Sequence, residues 1–355
     1  MQHILYNADR PVLVFDFEDM YLEVLDDTFL PFALRSRIST SNFTSRQTVQ
    51  KSLRDIDAIK DFLSGRVLSF SRRNAKTILD VAMFPQHLST NSRVSIALAC
   101  CSLSMTDNFW TAKEGENLCF ADVNLRRNKL SDASYPIAIL GKHISATREE
   151  LRSDIMGQGM FPKFWYRNND KVELWKTDKM SDFSNTKAEI IVSDILDTTD
   201  IPHVRYHKKI RDDIVFAVSE CFVTDDVSFV TAFDVTTYFG EDAVRAANVT
   251  DFANMCVLDY IFANMDRHAG NWGFLVDNKK NCIQSMAPLF DHNQALIADE
   301  FETDINDLLY EPTGSTFLET IKKFAFTANV DIDKSLLPEK CRARYDVYLK
   351  CKDGL

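Results

Sequence analysis

The clearest helix of this sequence is followed directly by a group of polar residues. Residues 248–265, NVTDFANMCVLDYIFANM, carry apolar side chains around a broad face, which predicts a buried helix capped at Thr250 or Asp251. The stretch NMDRHAGNWGF, residues 264–274, then brings an Asp, an Arg, a His and two Asn together before the apolar run WGFLV. Solvated loops are often polar, so the surrounding elements must decide whether this group carries chemistry.

Asp266 and Asn271 have a spacing that suits phosphoryl transfer. In transfer to a hydroxyl, a carboxylate orients the acceptor and receives its proton, while a nearby amide or carboxylate oxygen holds Mg²⁺. An Asp followed five positions later by an Asn is the spacing that protein kinases use. The pattern also arises by chance, so on its own it indicates little.

A predicted hairpin after this loop supplies a second carboxylate. WGFLV, the turn DNKKN and the returning segment CIQSMAPLFD bring residues 287–291 back beside Asn271. Asp291 is then expected to bind the same metal, with Pro288 at an edge or a bulge. The alternative is that Asp291 only begins the next turn.

A cation and a backbone cradle for phosphates are predicted further upstream. FPKFWYR and KVELWK, separated by NND, predict a hairpin that ends at Lys176 and follows Gly157 and Gly159. A lysine at the end of a strand after a glycine-containing loop suits this role, and Lys163 is a second candidate. Glu189, on a predicted helix in SNTKAEIIVSDILDTT, is expected to pair with Lys176, although helical Glu residues usually face solvent.

Other segments give a mixed pattern of helices and strands. That same helix is expected to bury Ala188, Ile191, Val192 and Ile195. The remaining predictions are strands in PVLVFDF, MYLEVL, IAIL, IVFAVSECFV and VSFVTAFDV, helices over 47–64, 74–103 and most of the tail from 316, a loop in RSRISTSNFTSRQTVQ and irregular structure over 104–130.

Composition restricts the partners and the compartment. The 355 residues carry a net charge of −11, which argues against a broad nucleic-acid footprint because phosphate binding needs clustered Lys and Arg. The eight cysteines form no CxxC pair and predict free thiols in a reducing compartment. No apolar run reaches the length of a membrane span, and the N-terminus does not have the pattern of a secretory signal. We therefore expect a cytoplasmic protein that binds neither membrane nor nucleic acid directly.

NMDRHAGNWGF followed by APLFD resembles the catalytic region of the HipA-like protein kinase family. FPKFWYR, ELWK, AEIIVSDIL and DIPHVRYH are similar to segments of the smaller HipA-like kinases. SLSMTDNFW and CFADVNL resemble the region ahead of that kinase domain. The resemblance covers residues 95–355 and is firmest over 136–300.

The resemblance implies an α+β fold, bilobal and protein-kinase-like, with a mixed α/β N-terminal region. It divides the chain into an N-terminal region of unknown role over 1–135, a kinase N-lobe over 136–235 and a C-lobe over 236–355. It also implies a Ser/Thr protein kinase that uses ATP and Mg²⁺, acts on a protein substrate and has a small antitoxin or regulatory partner.

The site residues follow from the same resemblance. Asp266 is expected to be the catalytic base, Asn271 and Asp291 to bind Mg²⁺, and Lys176 to contact the ATP phosphates. Gly157, Gly159, Lys163 and Glu189 complete the expected nucleotide site.

Several residues near the motif have less defined roles. His268 is expected to brace the loop through a backbone hydrogen bond, and a metal site shared with His292 lacks enough ligands. The resemblance implies that the kinase can phosphorylate a serine in its own glycine-rich loop. The GQGM loop has no hydroxyl group, so Ser153 and Thr147 just upstream are the candidate autophosphorylation sites. The order along the chain places the adenine-contacting segment near residues 229–233.

Two alternatives to a protein kinase remain open at this stage. DRHxxN followed by a carboxylate also resembles the loop of phosphoinositide kinases, and antibiotic phosphotransferases use a related Asp and Asn pair, so a small-molecule or lipid kinase is the first. The second is a catalytically silent interaction module that retains the kinase fold. The intact acidic residues count against it, because a scaffold does not require them.

Overall fold

The computed structural model describes residues 1–38, 46–85, 89–178, 182–300 and 302–354. Residues 39–45 of the predicted RSRISTSNFTSRQTVQ loop lie outside this part of the chain. A helix over Arg46–Gly65 confirms the predicted helix over 47–64 and takes in the end of that predicted loop, residues 46–50. No helix in the described ranges is long and apolar enough to cross a bilayer.

Strands and helices alternate irregularly along the chain. The strands are β1 His3–Asn7, β2 Arg10–Asp16, β3 Tyr21–Val24, β4 Phe109–Lys113, β5 Lys163–Asn168, β6 Lys171–Lys176, β7 Tyr206–Arg211, β8 Ile214–Glu220, β9 Val227–Thr231, β10 Gly273–Asp277, β11 Cys282–Met286, β12 Leu309–Tyr310 and β13 Ser315–Thr316. The α-helices are α1 Phe32–Arg35, α2 Arg46–Gly65, α3 Ala75–Val81, α4 Thr90–Ala99, α5 Phe120–Val123, α6 Arg152–Ile155, α7 Ser184–Leu196, α8 Ala232–Phe239, α9 Glu241–Ala247, α10 Val249–Phe262, α11 Ile297–Glu300, α12 Phe317–Phe324 and α13 Glu339–Lys352. Short 3₁₀ turns at Asp27–Phe29 and Lys334–Leu336 and a π-helix at Tyr135–Ile139 complete the set.

The chain forms two compact units. The first unit contains Met1–Trp175, Val223–Val230 and Val276–Cys282. The second unit contains Lys176–Phe222, Thr231–Leu275 and Ile283–Leu355. The three functional regions predicted from the sequence are a separate division of the chain and remain a prediction.

An antiparallel sheet of order β3-β2-β1-β4 belongs to the first unit. In β1, Leu5 lies opposite Leu13 of β2 on one side and Thr111 of β4 on the other. Val12, Leu13 and Phe15 are buried, so the apolar run PVLVFDF enters the core as a strand. The pairing with β4 contradicts the prediction of irregular structure over 104–130, because it depends on a partner about a hundred residues away in sequence.

The predicted helix over 74–103 is two helices. Helix α3 ends at Val81, and Met83 has a positive φ of 56° that no continuous helix allows. Helix α4 begins with a capping box in which Ser89 and Ser92 satisfy each other's backbone N–H groups. The predicted strand IAIL is wrong as well, since this apolar run lies at the end of the π-helix Tyr135–Ile139 and beyond it.

Helix α7 packs against β7 and β8 in the second unit. Its first turn is capped by Asp178, whose Oδ1 accepts from the backbone N–H of Thr186 at 2.7 Å and whose Oδ2 accepts from that of Asn185 at 2.9 Å. Ala188, Val192 and Ile195 are buried as predicted, but Ile191 is 41% exposed. Ile191 therefore lies outside the apolar stripe that faces the sheet.

Helix α10 is the most buried helix of the second unit, with every residue from Phe252 to Phe262 buried. It packs against α12 and α13. Neither Thr250 nor Asp251 is its cap, because the helix begins one residue earlier, after Asn248, which makes no capping side-chain bond.

The turns around α8 and β10 place the polar loop. The predicted strand VSFVTAFDV ends at β9, and its last residues begin α8, where Thr231 caps the helix by accepting from the N–H of Asp234. Strands β10 and β11 are neighbours, and the Ala287 N–H donates to the Gly273 carbonyl at 2.9 Å. A connection of four residues between neighbouring strands makes them an antiparallel hairpin, as predicted.

Candidate functional site

Lys176 joins two carboxylates in the second unit. It is the last residue of β6, as predicted, and is only 8% exposed. Its Nζ donates to Glu189 Oε1 at 3.1 Å and also to Asp291 Oδ1. Burial lowers the pKa of Lys176, but the two carboxylates more than offset this effect, so the pKa lies above its ordinary value. The side chain is therefore held as an ammonium ion.

Glu189 is buried on α7, and Tyr206 from β7 completes its surroundings. The Tyr206 hydroxyl is hydrogen-bonded to the Glu189 carboxylate and to the backbone N–H of Asp291. Burial raises the pKa of Glu189, an effect that the Lys176 charge opposes. The predicted pair between Lys176 and Glu189 is thus present, and a tyrosine connects it to the segment after β11.

Asp291 adopts a backbone conformation that side chains rarely take. Its φ is +61°, in the left-handed region. Its Oδ1 accepts from Lys176 and, at 2.7 Å, from Asn293 Nδ2. A strained residue held by two neighbours is common in functional sites, because surrounding contacts must fix such a geometry.

Arg267 ties the polar loop to the segment that carries Asp291. Its guanidinium is fully buried and binds Asp259 through two bonds, Nε to Oδ2 at 2.9 Å and Nη2 to Oδ1 at 3.0 Å. Its Nη1 donates to the carbonyls of Asn271 and Phe290, each at 2.6 Å. One cation therefore fixes the backbone at Asn271 and at the residue preceding Asp291.

Asp259 anchors this arginine from within α10. Its carboxylate also accepts from the Tyr310 hydroxyl at 2.6 Å and from Asn264 Nδ2 at 2.9 Å. A fully buried ion pair needs such additional hydrogen bonds to repay its desolvation. The helix ends at Phe262. Because the next residue, Ala263, has a positive φ of 52°, the chain turns and brings Arg267 back onto Asp259.

Asp266 and Asn271 contact each other within the loop. Asn271 Nδ2 donates to the Asp266 carbonyl at 2.8 Å, so the amide nitrogen is committed to the loop backbone. Asp266 is half-buried, and burial raises the pKa of its carboxyl. The charge of His268 opposes that rise, while the charge of Asp291 adds to it. The carboxylates of Asp266 and Asp291 therefore interact electrostatically.

The two histidines near the site differ in their surroundings. His268 is exposed, and its Nδ1 accepts from the Gly270 N–H at 3.0 Å, which is the predicted kind of backbone brace. His292 is buried, and burial together with the Arg267 charge holds its pKa well below the ordinary value, so it is neutral. In the described ranges, no three His, Cys, Asp or Glu side chains are grouped as a metal centre would group them.

The predicted phosphate loop belongs to the first unit. Gly159 has a positive φ of 90°, and a Cβ placed there would lie 2.5 Å from the Nζ of Lys163. Gly157 is closely approached by backbone and by the Arg72 side chain. Glycine is therefore favoured at 159 by its backbone conformation and at 157 by the close packing around it.

The sequence interpretation missed Asp259, Tyr206 and Tyr310 as parts of the site and left the role of Arg267 undefined. A signal for the first was present, because Asp259 lies on the buried face of the predicted helix. A buried carboxylate needs a cation, and the next basic residue along the chain is Arg267. Nothing in the sequence indicated the two tyrosines.

Comparison with solved structures identifies the fold. HipA of Shewanella oneidensis, solved in a toxin–antitoxin complex of HipA, HipB and operator DNA, matches with a TM-score of 0.57 and 11% identity over 98% of this chain and 88% of that chain. The Helicobacter pylori proinflammatory kinase CtkA matches with a TM-score of 0.39 and 14% identity over 54% of this chain and 90% of that chain. No family profile matches the sequence, and no curated protein does.

The chain therefore has the fold of the HipA-like kinases, as the sequence predicted. At this level of identity the likeness defines the fold and not the reaction. The chemistry must be argued from the side chains.

Proposed function

We propose that the protein is an ATP- and Mg²⁺-dependent protein Ser/Thr kinase. The observation that carries this proposal is the position of the Lys176 ammonium between Glu189 and Asp291. Phosphoryl transfer needs a cation for the nucleotide phosphates, a partner that orients it and a carboxylate for the metal. Lys176 can supply the cation, Glu189 the orienting partner and Asp291 the carboxylate, and both carboxylates contact the buried Lys176 Nζ. The kinase-like fold of the chain supports the same conclusion.

In this proposal Lys176 binds the ATP phosphates and Glu189 orients it. The buried Glu189 carboxylate holds the ammonium in place through its contact with Lys176 Nζ at 3.1 Å. Lys176 exchanges its contact with Asp291 for a phosphate oxygen when the nucleotide binds. Gly157 and Gly159, in the loop before β5, and Lys163, the first residue of β5, are proposed as further phosphate contacts.

Asn271 and Asp291 would hold Mg²⁺. Amide and carboxylate oxygens are the ligands that Mg²⁺ prefers, and the Asn271 amide nitrogen is already committed to the Asp266 carbonyl. The amide oxygen and the Asp291 carboxylate therefore fit the ion. When bound, Mg²⁺ neutralises negative charge on the transferring phosphate.

Asp266 is the proposed catalytic base. Its carboxyl is half-buried, and its raised pKa makes it a better proton acceptor than an ordinary aspartate. It accepts the proton of the substrate hydroxyl as the new bond to phosphorus forms. The Arg267 bond to the Asn271 carbonyl holds this loop still during the step.

A small protein partner is part of the proposal. The Shewanella oneidensis HipA structure contains HipB and operator DNA, which supports an antitoxin-like partner for this chain. The net charge of −11 does not support direct DNA binding by the chain itself.

The eight cysteines are all free, which supports the cytoplasm as its compartment.

Transfer of label from ATP tests the proposal. The purified protein is incubated with Mg²⁺ and γ-labelled ATP, with and without a generic protein acceptor, and phosphosites are mapped by mass spectrometry. Asp291→Asn is run beside it, with Asp346→Asn as the matched control because Asp346 lies on the surface, paired with Lys334. We expect label on Ser or Thr in the wild type and in the control, and none in Asp291→Asn.

Other outcomes separate the alternatives. Mg²⁺-dependent ATP binding without label on protein would favour a small-molecule or lipid kinase. Absence of both label and nucleotide binding would favour an interaction module and would contradict the proposal.

A further inference from the structure

Arg72 lies in the part of the chain, residues 1–95, for which the sequence indicates no role. It stands between α2 and α3, and its side chain is only 1% exposed. A buried guanidinium must find partners for its donors, because an unpaired charge in the interior is costly. The identity of those partners shows what this residue does.

The partners of Arg72 are backbone carbonyls around the glycine-containing loop. Nη1 donates to the Asp154 carbonyl at 3.1 Å and to the Gly157 carbonyl at 3.5 Å. Nη2 donates to the Lys163 carbonyl at the start of β5. One side chain thus binds both ends of the segment 157–163, and its planar set of donors can satisfy these separate acceptors together.

Asp154 supplies the compensating charge. One of its carboxylate oxygens lies 3.7 Å from Arg72 Nη2, and the other accepts from the Ser134 hydroxyl at 2.5 Å. Both side chains are buried, and the carboxylate lies within ion-pair distance of the guanidinium, while the hydrogen bonds to the backbone carbonyls orient it. Arg72, Asp154 and Ser134 all belong to the first unit.

Gly157 is shaped to this arginine. A Cβ added at Gly157 would lie 3.3 Å from Arg72 Nη1 and 3.1 Å from the Ser153 carbonyl. A methyl group would therefore force the guanidinium or the neighbouring backbone to shift by a few tenths of an ångström. The glycine is thus explained by the close approach of Arg72, without reference to a nucleotide.

We propose that Arg72 is a positioning residue that holds the loop 157–163 in its conformation and thereby sets the affinity for nucleotide phosphates. The effect of Arg72 on nucleotide affinity rests on the proposed function. The anchoring of the loop by Arg72 concerns the folded chain alone. It also assigns a task to the N-terminal region, which supplies the arginine.

Arg72→Lys tests the proposal, because lysine keeps the charge but cannot reach several carbonyls at once. Amide hydrogen exchange of residues 157–163 is measured together with KM for ATP and kcat. We expect exchange in the loop to accelerate about tenfold and KM for ATP to rise about tenfold, as for the loss of one buried hydrogen bond, with kcat changed less. Gly157→Ala should reproduce both effects.

One control variant separates anchoring from general loss of packing. Arg93→Lys changes another arginine of the first unit that donates to backbone carbonyls, including those of Ser64 and Val67, outside the loop. It should leave loop exchange and KM for ATP unchanged.

Unchanged loop exchange in Arg72→Lys, or equal acceleration in Arg93→Lys, would overturn the anchor. Faster loop exchange with unchanged KM for ATP would overturn its link to the nucleotide. If the wild type neither binds nor uses ATP, the proposed function fails, while hydrogen exchange still decides whether Arg72 anchors the loop.

Discussion

At the scale of single residues, Arg267 organises the candidate site without being one of its proposed reacting groups. Its guanidinium joins Asp259 in α10, the carbonyl of Asn271 and the carbonyl that precedes Asp291. The loop and the segment after the hairpin are therefore held by one buried charge. Removing Asp259, the counter-ion of Arg267, should therefore reduce the stability of the fold as well as disturb the site.

Asp259→Ala is predicted to lower the free energy of unfolding by about 3–5 kcal/mol, since it leaves Arg267 buried and unpaired. Urea unfolding followed by circular dichroism measures the loss. Asp346→Ala, which breaks an exposed pair with Lys334, is the control and should change stability by less than about 1 kcal/mol. Equal stability of the two variants would contradict the buried pair.

Glu311→Gln is predicted to move the acidic limb of the rate profile to lower pH. Burial and nearby negative charges, including Glu311, raise the pKa of Asp266. A base with a raised pKa is ionised above that pKa, so activity falls as pH drops through it. Removing one of the raising charges lowers the pKa, and activity persists further into acid. Gln still accepts the hydrogen bond that Glu311 receives from Ala269.

The pH dependence of kcat/KM measures this shift. Glu302→Gln serves as the control, because Glu302 is exposed and is not among the groups that perturb Asp266. A limb that does not move in Glu311→Gln, or moves as far in Glu302→Gln, would contradict Asp266 as the base.

At the scale of elements, the sequence predicted those whose pattern is local. The hairpin of β5 and β6, helix α7, helix α10 and the hairpin of β10 and β11 all follow from apolar periodicity and turn residues. Strand β4 and the π-helix Tyr135–Ile139 do not, because a short apolar run is compatible with either a strand or a helix.

The contrast between local and distant contacts also applies to the site. Asp266 and Asn271 are close in sequence, so their contact could be predicted, and the hairpin brought Asp291 toward them. The contact of Lys176 with Asp291 spans 115 positions. The sequence did not predict this contact, since no local pattern specifies a pair at that separation.

Glu189→Gln is predicted to lower kcat about 100-fold, because misplacement of a catalytic group by about 1 Å has a cost of that order. The amide keeps the shape of the side chain but weakens its hold on Lys176. Asp194→Asn on the exposed face of α7 is the matched control. Kinase assays at saturating ATP measure the effect, and equal rates in the two variants would contradict the orienting role of Glu189.

At the scale of the whole molecule, this chain and HipA share a fold although their sequences differ at most positions. An identity of 11% to HipA coexists with a match over 98% of this chain. The core is defined by apolar patterning that many sequences satisfy, whereas the site depends on a few charged contacts. The substrate is specified by neither.

The distribution of cysteines gives a prediction for the whole chain. Cys119 and Cys282 are exposed, while Cys100, Cys256 and Cys341 are buried. Burial raises the pKa of the Cys100 thiol to about 12 and that of Cys341 to about 11, which suppresses the reactive thiolate. Native alkylation should therefore modify Cys119 and Cys282 first.

Peptide mapping after timed alkylation measures that order. Denaturation without a reducing agent should expose all eight thiols, because none forms a disulfide. Fewer than eight adducts in the denatured protein, or early labelling of Cys256, would contradict the described packing.

Calorimetric titration of a non-hydrolysable ATP analogue, with and without Mg²⁺, tests the central claim most directly. Asn271 and Asp291 are proposed to hold the metal beside Lys176, so Mg²⁺ should tighten binding to the wild type by about tenfold or more. In Asp291→Asn the analogue should bind with the same affinity whether or not Mg²⁺ is present. An equal response to Mg²⁺ in both proteins would show that Asp291 does not hold the metal and would contradict the account.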